Sequence, residues 1–404
     1  MGLVPLDEAR QRVLAGCPPS HPVAVALADA LGCVAAAAVR AEEAVPNADN
    51  SAMDGYAVRA ADVVTAPVEL RVVGTRLAGD LEAASVGPGE ALRIMTGAAM
   101  PPGADAVVMV ELTSTSPDRA VVIVERPVAA GEAVRRAGDD LAPGDLLVDR
   151  GTVLTPGRLG TLASVGVRRV PIYRRARVGV LSTGDELVEG GGPLAPGQVR
   201  DSNRPALLAL LRSSGCEAVD LGLVGDDEGA IEAALGRGVE DCDAVLTSGG
   251  GSMGEVDLVK VVLDRLGDMP WMQVAVRPAK PLAFGVVAGT PVFGLPGNPV
   301  SSMVSFELFA RPGLRKMMGH GAGHLDRPRV PAVAEEDLRR RPDGKVHLVR
   351  VVTAMGADGR YRVRSAGGQG SHQLSAMAAA DALAVLPDGD GVAAGEVVET
   401  MLLG

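Results

Sequence analysis

Aromatic side chains are scarce in this chain, at 2% of its 404 residues. So few rings argue against the stacking platforms that bind single-stranded nucleic acid. The formal net charge of −11 also argues against nucleic acid or an anionic membrane as partner. Hydrophobic residues nevertheless make up 47% of the chain. We therefore expect sizeable cores filled by Val, Leu and Ala, and small-molecule rather than polymeric partners.

Cysteines are also few, and none stands in a C-x-x-C pair: Cys17, Cys33, Cys216 and Cys242. They predict reduced, mostly buried thiols of a cytoplasmic protein rather than a disulfide frame or a zinc site. No apolar run approaches the ~20 residues that span a bilayer, and Met1 to Arg10 is unlike a signal peptide. We expect a cytoplasmic protein with no membrane partner.

The length predicts several domains, since single cores seldom grow past ~250–300 residues. An Ala-rich start predicts helix, with Val23–Val39 as its longest segment, and short β-branched runs follow from Val58 to Val124. Strand and helix patterns then alternate from Val178 to Gly319, which predicts a doubly wound parallel sheet. The predicted domains are a helical linker domain (1–45 and 140–176), a β-rich domain (46–139), an α/β domain (177–322) and a small C-terminal β-barrel-like domain (323–404).

The segment Arg168–Arg177 carries five arginines around a proline. It could form a basic anion-binding arm. A solvated linker is the preferred interpretation, because the proline coincides with the change of domain.

A glycine-rich loop, Thr247 to Asp257, lies between a predicted buried strand and a predicted helix. Consecutive glycines let backbone N–H groups approach an anion closely. Its spacing fits neither the dinucleotide fingerprint nor the Walker loop. A phosphate-like ligand is the favoured interpretation, and a glycine-rich turn without chemistry is the alternative.

Acidic residues follow three predicted strands of the α/β domain: Asp185-Glu186, Asp226-Asp227 and Asp257. Parallel strands end at one edge of a sheet, where ligands bind. Carboxylates gathered there would suit Mg²⁺ bridging to substrate phosphates. The alternative is that each aspartate caps the helix that follows it.

A second strand-to-helix junction, Gly294–Ser301, again combines free glycine backbone with a hydroxyl. Just before it, prolines flank Arg277 and Lys280, which predicts a rigid cationic strip beside an anion-binding loop. Two polar turns around Asp54 and Thr96 precede glycines in the β-rich region, where the residues alone favour simple turns.

Six segments in chain order together resemble the molybdopterin molybdenumtransferase (MoeA, gephyrin E-domain) family: Asn50–Val58, Arg93–Ala98 followed by Pro102–Val108, Ser182–Leu187, Asp201–Arg204, Ser248–Asp257 and Gly294–Ser301. The resemblance covers nearly the whole chain. It implies a transferase that inserts molybdate into adenylylated molybdopterin with Mg²⁺-dependent release of AMP. It also implies a homodimer whose active sites are shared between subunits, and it allows contact with the molybdopterin adenylyltransferase.

Residue by residue, the resemblance assigns catalytic roles to Asp54, Thr96, Asp140, Glu186, Asp226 and Asp257, of which Glu186, Asp226 and Asp257 are the magnesium ligands. It assigns the oxyanion site to Ser252, Lys280, Arg350 and Ser371. The remaining substrate-binding positions are Thr183, Gly249, Gly250, Arg277, Pro281, Asn298 and Ser301.

The chain departs from the family at Gln273 and Arg277, where many members carry lysine, and at Ala279, where they carry glycine. Two other functions compete with molybdenum insertion. One is a molybdopterin adenylyltransferase or related nucleotide-cleaving enzyme with the same α/β fold. The other is a scaffold, which would need a linker or an interaction tail that the sequence does not contain.

Overall fold

The computed structural model describes residues 2–80, 84–249, 258–267 and 269–404. Its central unit is a six-stranded sheet made of β1 (Arg177–Thr183), β2 (Glu217–Val224), β3 (Ala244–Ser248), β4 (Trp271–Gln273), β5 (Pro281–Val287) and β6 (Thr290–Leu295). The strands lie in the order β2-β1-β3-β6-β5-β4. The first four are parallel, and β5 and β4 are antiparallel additions at the edge.

Helices connect and cover these strands: Asn203–Ser213, Glu228–Asp241, Leu258–Leu266 and the long helix over residues 299–317. The long helix consists of Pro299–Ser305, a π-helical segment Phe306–Ala310, and Arg311–Met317. The predicted doubly wound domain is confirmed, and so is its last helix. The strand β5 was not anticipated, since prolines and glycines bound it.

The N-terminal β-rich region forms its own six-stranded sheet. Its strands, in spatial order, are Ala106–Met109, Gly55–Val58, Glu90–Ile94, Val68–Arg76, Val121–Val124 and Thr113–Thr115. Short strands Asn50–Ser51 and Val134–Arg135 pair beside it. Valines and alanines fill its core, as the low aromatic content requires.

The expected helix over Val23–Val39 is wrong. After a first helix, Leu6–Ala15, the chain forms the strands Pro22–Ala26, Val34–Ala35 and Val39–Arg40. Gly32 adopts a φ of 75° between them, which ends any helix there. Pairing with a distant strand, Arg169–Tyr173, overrides the helical propensity of the alanines.

The same pairing corrects the solvated-linker interpretation of Arg168–Arg177. Arg169–Tyr173 is the central strand of a three-stranded sheet, and its Val170 and Ile172 are buried. The strand Leu146–Val148 and the helix Pro156–Ser164 complete this region. Thr155 caps that helix through Arg158 N.

The C-terminal region is a closed barrel built from Arg329–Ala334, β7 (Val346–Met355), Tyr361–Ser365, Ala382–Leu386 and Val397–Leu402. It closes because β7 pairs with both Tyr361–Ser365 and Ala382–Leu386. The strand Val276–Arg277 joins its edge, short strands Leu338–Arg339 and Gly391–Val392 pair outside it, and the helix Leu374–Ala379 covers one side.

One large core joins the barrel to the α/β domain. Its buried residues come from the first helix (Val13), the sheet (Phe293), the long helix (Phe309) and the barrel (Leu348, Leu383). All four cysteines are buried and unpaired, as expected. Burial raises the pKa of Cys17 and Cys216 to about 12, so these thiols are unreactive. None of the helices in the described ranges is long and apolar enough to cross a membrane.

Candidate active site

The loops after β1, β2, β3 and β6 meet at one edge of the central sheet. Thr183 lies opposite Val224, Ser182 opposite Ser248, and Ser248 opposite Leu295. Because these strands are parallel, their carboxyl ends share this edge. The expected convergence of the strand ends is therefore confirmed. We call this edge the candidate active site.

Two acidic loops, after β1 and after β2, are hydrogen-bonded to each other at the candidate active site. Asp226 N donates to Asp185 Oδ1 at 2.9 Å, and Asp185 N lies 3.4 Å from Asp226 Oδ2. Asp227 accepts from Ala230 N at 2.7 Å and so caps the next helix. The capping alternative is therefore correct for Asp227. Asp226 is left at the sheet edge with an exposed carboxylate.

Two of the three predicted magnesium ligands belong to these loops. Glu186 and Asp226 are exposed carboxylates on neighbouring loops, and hard oxygen donors of this kind suit Mg²⁺. The third predicted ligand, Asp257, lies outside the described residues, as do Gly250 and Ser252. Within the described part of the chain, no three acidic, histidine or cysteine residues cluster as metal ligands. The donor chemistry of Glu186 and Asp226 fits the ion, and Asp257 would complete a set of three.

The start of the glycine loop packs directly on the end of β1. Gly249 has a φ of 108°, and a Cβ there would come within 2.3 Å of Thr183 O. Only glycine fits such an approach. The neighbouring hydroxyls, Thr183 Oγ1 and Thr247 Oγ1, are buried and have no hydrogen-bond partner among the described residues. Polar groups thus lie at the base of the loop, ready for a ligand or water.

The Gly294–Ser301 junction borders the same edge. Asn298 is exposed at the N-cap position of the long helix, and Ser301 is 6% exposed in its first turn. Asn203 Nδ2 donates both to Ser248 Oγ at 2.8 Å and to Gly297 O at 2.6 Å. Through these two bonds, the Asn203 side chain connects the loop after β3 to the loop before the long helix. Asn203 lies in the Asp201–Arg204 segment, but no local sequence pattern reveals its contacts with two distant loops.

The predicted cationic strip divides between two neighbourhoods. Pro281 begins β5 at the candidate active site, since Ala283 pairs with Gly294, and the exposed Lys280 immediately precedes it. Arg277 instead lies on the strand that pairs with β7 of the barrel. There it lines an open cavity of about 460 Å³ together with Arg340 and His347.

Between these two cations, Ala279 adopts a φ of 79° and is 1% exposed. This left-handed conformation favours glycine. The departure from the family glycine therefore falls at a position where an alanine carries a conformational cost.

Arg350 is fully buried in the barrel wall. Its Nη2 donates to Gly368 O at 2.7 Å and lies 3.2 Å from Gly370 O. Its Nε and Nη1 have no partner within the described ranges. Burial lowers the pKa of Arg350. A solvent-facing Arg350, the alternative to a ligand role, is thus excluded.

The loop that contacts Arg350 also reaches the long helix. Val300 N donates to Ser371 O at 3.1 Å. Arg350, Ser371 and the first turn containing Ser301 are consequently connected through one loop, although they come from the barrel and the α/β domain. Buried guanidinium nitrogens without a partner suit an anion.

The N-terminal candidates form a separate group. Asp54 Oδ1 accepts from Thr96 N and Thr96 Oγ1, each at 2.7 Å, and these bonds lower the pKa of Asp54. Backbone bonds at Ser51 join this turn to the Thr96 loop, and Asp140 is exposed at the end of the adjoining segment. Among the described residues, no hydrogen bond or ion pair links this group to the candidate active site of the same chain.

Three family models together match most of the chain. The MoeA N-terminal region (domain I and II) matches residues 4–166, the probable molybdopterin binding domain residues 179–316, and the MoeA C-terminal region (domain IV) residues 331–403. A "Molybdopterin molybdenumtransferase" of Haemophilus influenzae is 39% identical over 398 residues, covering 98% of each chain. The chain belongs to the MoeA family.

Two further relatives match this MoeA-family chain over nearly its whole length. A "Molybdopterin molybdenumtransferase 2" of Mycobacterium tuberculosis is 40% identical over 378 residues, with 91% of each chain covered. The crystal structure of a molybdopterin biosynthesis MoeA protein from Pyrococcus horikoshii OT3 is 28% identical and has a TM-score of 0.81. The comparison covers 99% of this chain and 100% of that one. The likeness therefore extends over all the regions of the fold.

Proposed function

We propose that this MoeA-family chain is a molybdopterin molybdenumtransferase of molybdenum cofactor biosynthesis. Its substrates would be adenylylated molybdopterin and molybdate, and AMP would leave as molybdenum is transferred. The observation that carries the proposal is the buried Arg350, whose Nε and Nη1 lack partners among the described residues. Its Nη2 lies 3.2 Å from the carbonyl oxygen of Gly370, the residue before Ser371. A buried cation with unused donors is costly unless an anion joins it.

In this proposal Arg350, Lys280, Ser371 and Ser252 bind molybdate. Thr183, Gly249, Gly250, Arg277, Pro281, Asn298 and Ser301 bind the pterin substrate and its phosphates. Charge-assisted hydrogen bonds of this kind contribute about 1.5–3 kcal/mol each. The two sets adjoin because the Ser371 loop contacts the first turn of the long helix.

Glu186, Asp226 and Asp257 would hold Mg²⁺, which when bound would neutralise phosphate charge on the substrate. The chain's own contribution is to position the loop that carries Asp226. The reciprocal contacts of Asp185 and Asp226 keep their loops in register. Asp227 takes the helix-capping role, so Asp226 remains available.

We further propose a cytoplasmic homodimer with shared active sites. Asp54, Thr96 and Asp140 make no bond to their own chain's candidate active site among the described residues. They would act on the site of the partner subunit, and the β-rich domain (46–139) would reach across while 177–322 and 323–404 form the other wall. Contact with the molybdopterin adenylyltransferase would then let that enzyme deliver substrate to this cleft.

The test of function is incubation with adenylylated molybdopterin, Mg²⁺ and molybdate, with AMP followed by chromatography. We expect AMP release to require molybdate. In Lys280→Ala, the molybdate concentration for half-maximal rate should rise by one to two orders of magnitude, at ~1.4 kcal/mol per tenfold. AMP formed equally fast without molybdate would favour the nucleotide-cleaving alternative instead.

Mixing two inactive variants tests the shared site. Asp54→Ala and Asp226→Ala subunits should recover activity after subunit exchange, because one cleft of each heterodimer would then be intact. A mixture of each variant with itself is the control. Exchange proven by differently tagged subunits, without recovered activity, would refute a site shared between subunits.

A further inference from the structure

A second cavity, of about 240 Å³, lies at the opposite end of the helix Asn203–Ser213 from the candidate active site. It opens between the three-stranded sheet of the linker region and the ends of two α/β helices. Its polar walls are formed by Cys33, Tyr173, Arg175, Ser214, Arg315 and His320. No aspartate or glutamate lines it among the described residues. The cavity is therefore walled by cations and neutral polar groups.

The two arginines are fixed in place without being neutralised. Arg175 Nη2 donates to Leu31 O at 2.8 Å, and Arg315 Nε donates to His324 O at 2.6 Å. Both acceptors are neutral carbonyls, and neither arginine forms an ion pair with a described residue. Burial and the nearby Arg327 lower the pKa of Arg315, which indicates an uncompensated charge.

His320 adds a directed donor to this wall. Burial and repulsion by Arg315 lower its pKa to about 4, so the ring is neutral at neutral pH. Arg315 Nη2 lies 3.2 Å from His320 Nδ1. Because an arginine nitrogen can only donate, Nδ1 must accept, and the ring proton is then on Nε2.

Ser214 supplies the fourth polar group. Its Oγ is buried and has no hydrogen-bond partner in the described ranges, while the residue lines the cavity. Gly215 O, just beyond the end of the helix Asn203–Ser213, accepts from Arg175 Nη1 at 3.4 Å. Two helices, Asn203–Ser213 and Arg311–Met317, end at the cavity, and each carries roughly half a negative charge at that end. The full charges of Arg175 and Arg315 exceed this, which leaves the cavity with net positive character.

We propose that this cavity binds a free tetrahedral oxyanion of the size of phosphate or sulfate, held by Arg175, Ser214, Arg315 and His320. It is distinct from the proposed molybdate pocket. The helix Asn203–Ser213 begins at the candidate active site and ends at this cavity. Eleven residues at ~1.5 Å each separate the two by about 16 Å.

Anion binding at this cavity should also stabilise the folded protein, because the cavity lies between two regions of the chain. Arg175 belongs to the linker region, whereas Ser214, Arg315 and His320 belong to the α/β domain. An anion bridging them would join two regions by charge-assisted bonds. Binding should therefore raise the unfolding temperature with anion concentration, since a ligand stabilises the state that it binds.

Equilibrium dialysis of the full chain with radioactive inorganic phosphate, at constant ionic strength, tests the proposal. We expect saturable binding that sulfate competes for. Ser214→Ala should raise the dissociation constant about tenfold, and Arg175→Gln by more, because each loses a donor to a charged ligand. Arg212→Gln is the matched control, since Arg212 is exposed near the same helix end. It should bind as the wild type does.

Two further arms identify the ligand and exclude the proposed molybdate pocket. Lys280→Ala should retain phosphate binding at this cavity, and binding lost in that variant would overturn the proposal. Competition by AMP as strong as by sulfate would identify a nucleotide phosphate as the source and still support the site. Phosphate binding that is absent, or insensitive to both Ser214→Ala and Arg175→Gln in folded protein, would refute it.

Discussion

Asn203 Nδ2 donates to Ser248 Oγ across 45 residues of sequence, at a distance of 2.8 Å. The same nitrogen donates to Gly297 O at 2.6 Å. Both acceptors begin loops that face the proposed substrates, one after β3 and the other before the long helix. A single amide therefore sets the spacing between the two loops.

Replacing Asn203 by Asp should lower the rate of molybdenum insertion by about 10–100-fold. The carboxylate has no donor for Gly297 O and would repel it, so the two loops should separate, and small misplacements in a site can cost ~100-fold. We expect the turnover number to fall while the free energy of unfolding drops by no more than ~2 kcal/mol. Steady-state kinetics and urea unfolding measure the two effects.

Ser202→Ala is the control for that variant, because Ser202 precedes Asn203 but makes no side-chain capping bond. It should keep wild-type kinetics. A turnover number of Asn203→Asp equal to that of wild type would show that the loops hold their spacing without the amide.

Periodicity sufficed to predict the α/β domain because its elements are stabilised locally. Buried runs such as Ala244–Ser248 and N-caps such as Asp227 leave a direct mark in sequence. The helix prediction for Val23–Val39 was wrong because the strands formed there depend on pairing with Arg169–Tyr173, more than 130 residues away. Alanine favours helix in isolation, and no local signal announces the distant partner.

Some residues of the candidate site were likewise predictable from local sequence, and others were not. Its glycine loops and carboxylates were recognisable as strand-end residues, whereas Asp54 and Thr96 were indistinguishable from ordinary turns without the family resemblance. Their mutual hydrogen bonds join residues 42 positions apart. The burial of Arg350 was equally hidden, because alternation along β7 does not reveal which face the barrel closes over.

A buried ion cluster beside the long helix leads to a prediction about stability. Glu307, whose side chain is 1% exposed, accepts from Arg327 Nε and Nη2 at 3.0 Å each and lies 3.7 Å from Arg311. Glu307→Gln would leave the buried Arg311 and the half-buried Arg327 without their shared counter-charge. We expect the free energy of unfolding to fall by about 3–5 kcal/mol.

Urea unfolding checks this, with Glu228→Gln as the control. Glu228 pairs with Arg265 at 2.7 Å, but both side chains are about half exposed. Such a surface pair contributes at most ~1 kcal/mol. Equal losses in the two variants would mean that burial does not set the value of the Glu307 cluster.

The hairpin between β5 and β6 turns through Ala288 and Gly289, whose φ angles are 48° and 89°. Positive φ at both central positions is the pattern of a type I′ turn, which suits Asn-Gly or Gly-Gly. Alanine at the exposed position 288 carries ~1–2 kcal/mol of strain. Ala288→Gly relieves it and loses ~0.5–1 kcal/mol to chain entropy, so we expect a net gain of about 0.5–1 kcal/mol.

Thermal and urea unfolding measure that gain, and Gly289→Ala is the opposite test. It places a side chain at a φ of 89° and should destabilise the protein. Stabilisation by Gly289→Ala, or loss of stability in Ala288→Gly, would contradict the turn geometry.

His320 predicts how stability depends on pH. Its pKa falls from 6.5 to about 4 on folding, because burial and Arg315 oppose its charged form. Between these values the unfolded chain binds more protons, so stability falls as pH decreases from 6.5 towards 4 and is fully present above that window. From pH 7 to pH 5 the loss from this residue should be about 2 kcal/mol. His320→Gln should remove that part of the slope, and exposed His21→Gln should not. Urea unfolding in chloride buffers at pH 7 and pH 5 measures this loss of unfolding free energy. Identical losses in wild type and His320→Gln would show that the buried imidazole takes up its proton as readily as a solvated one.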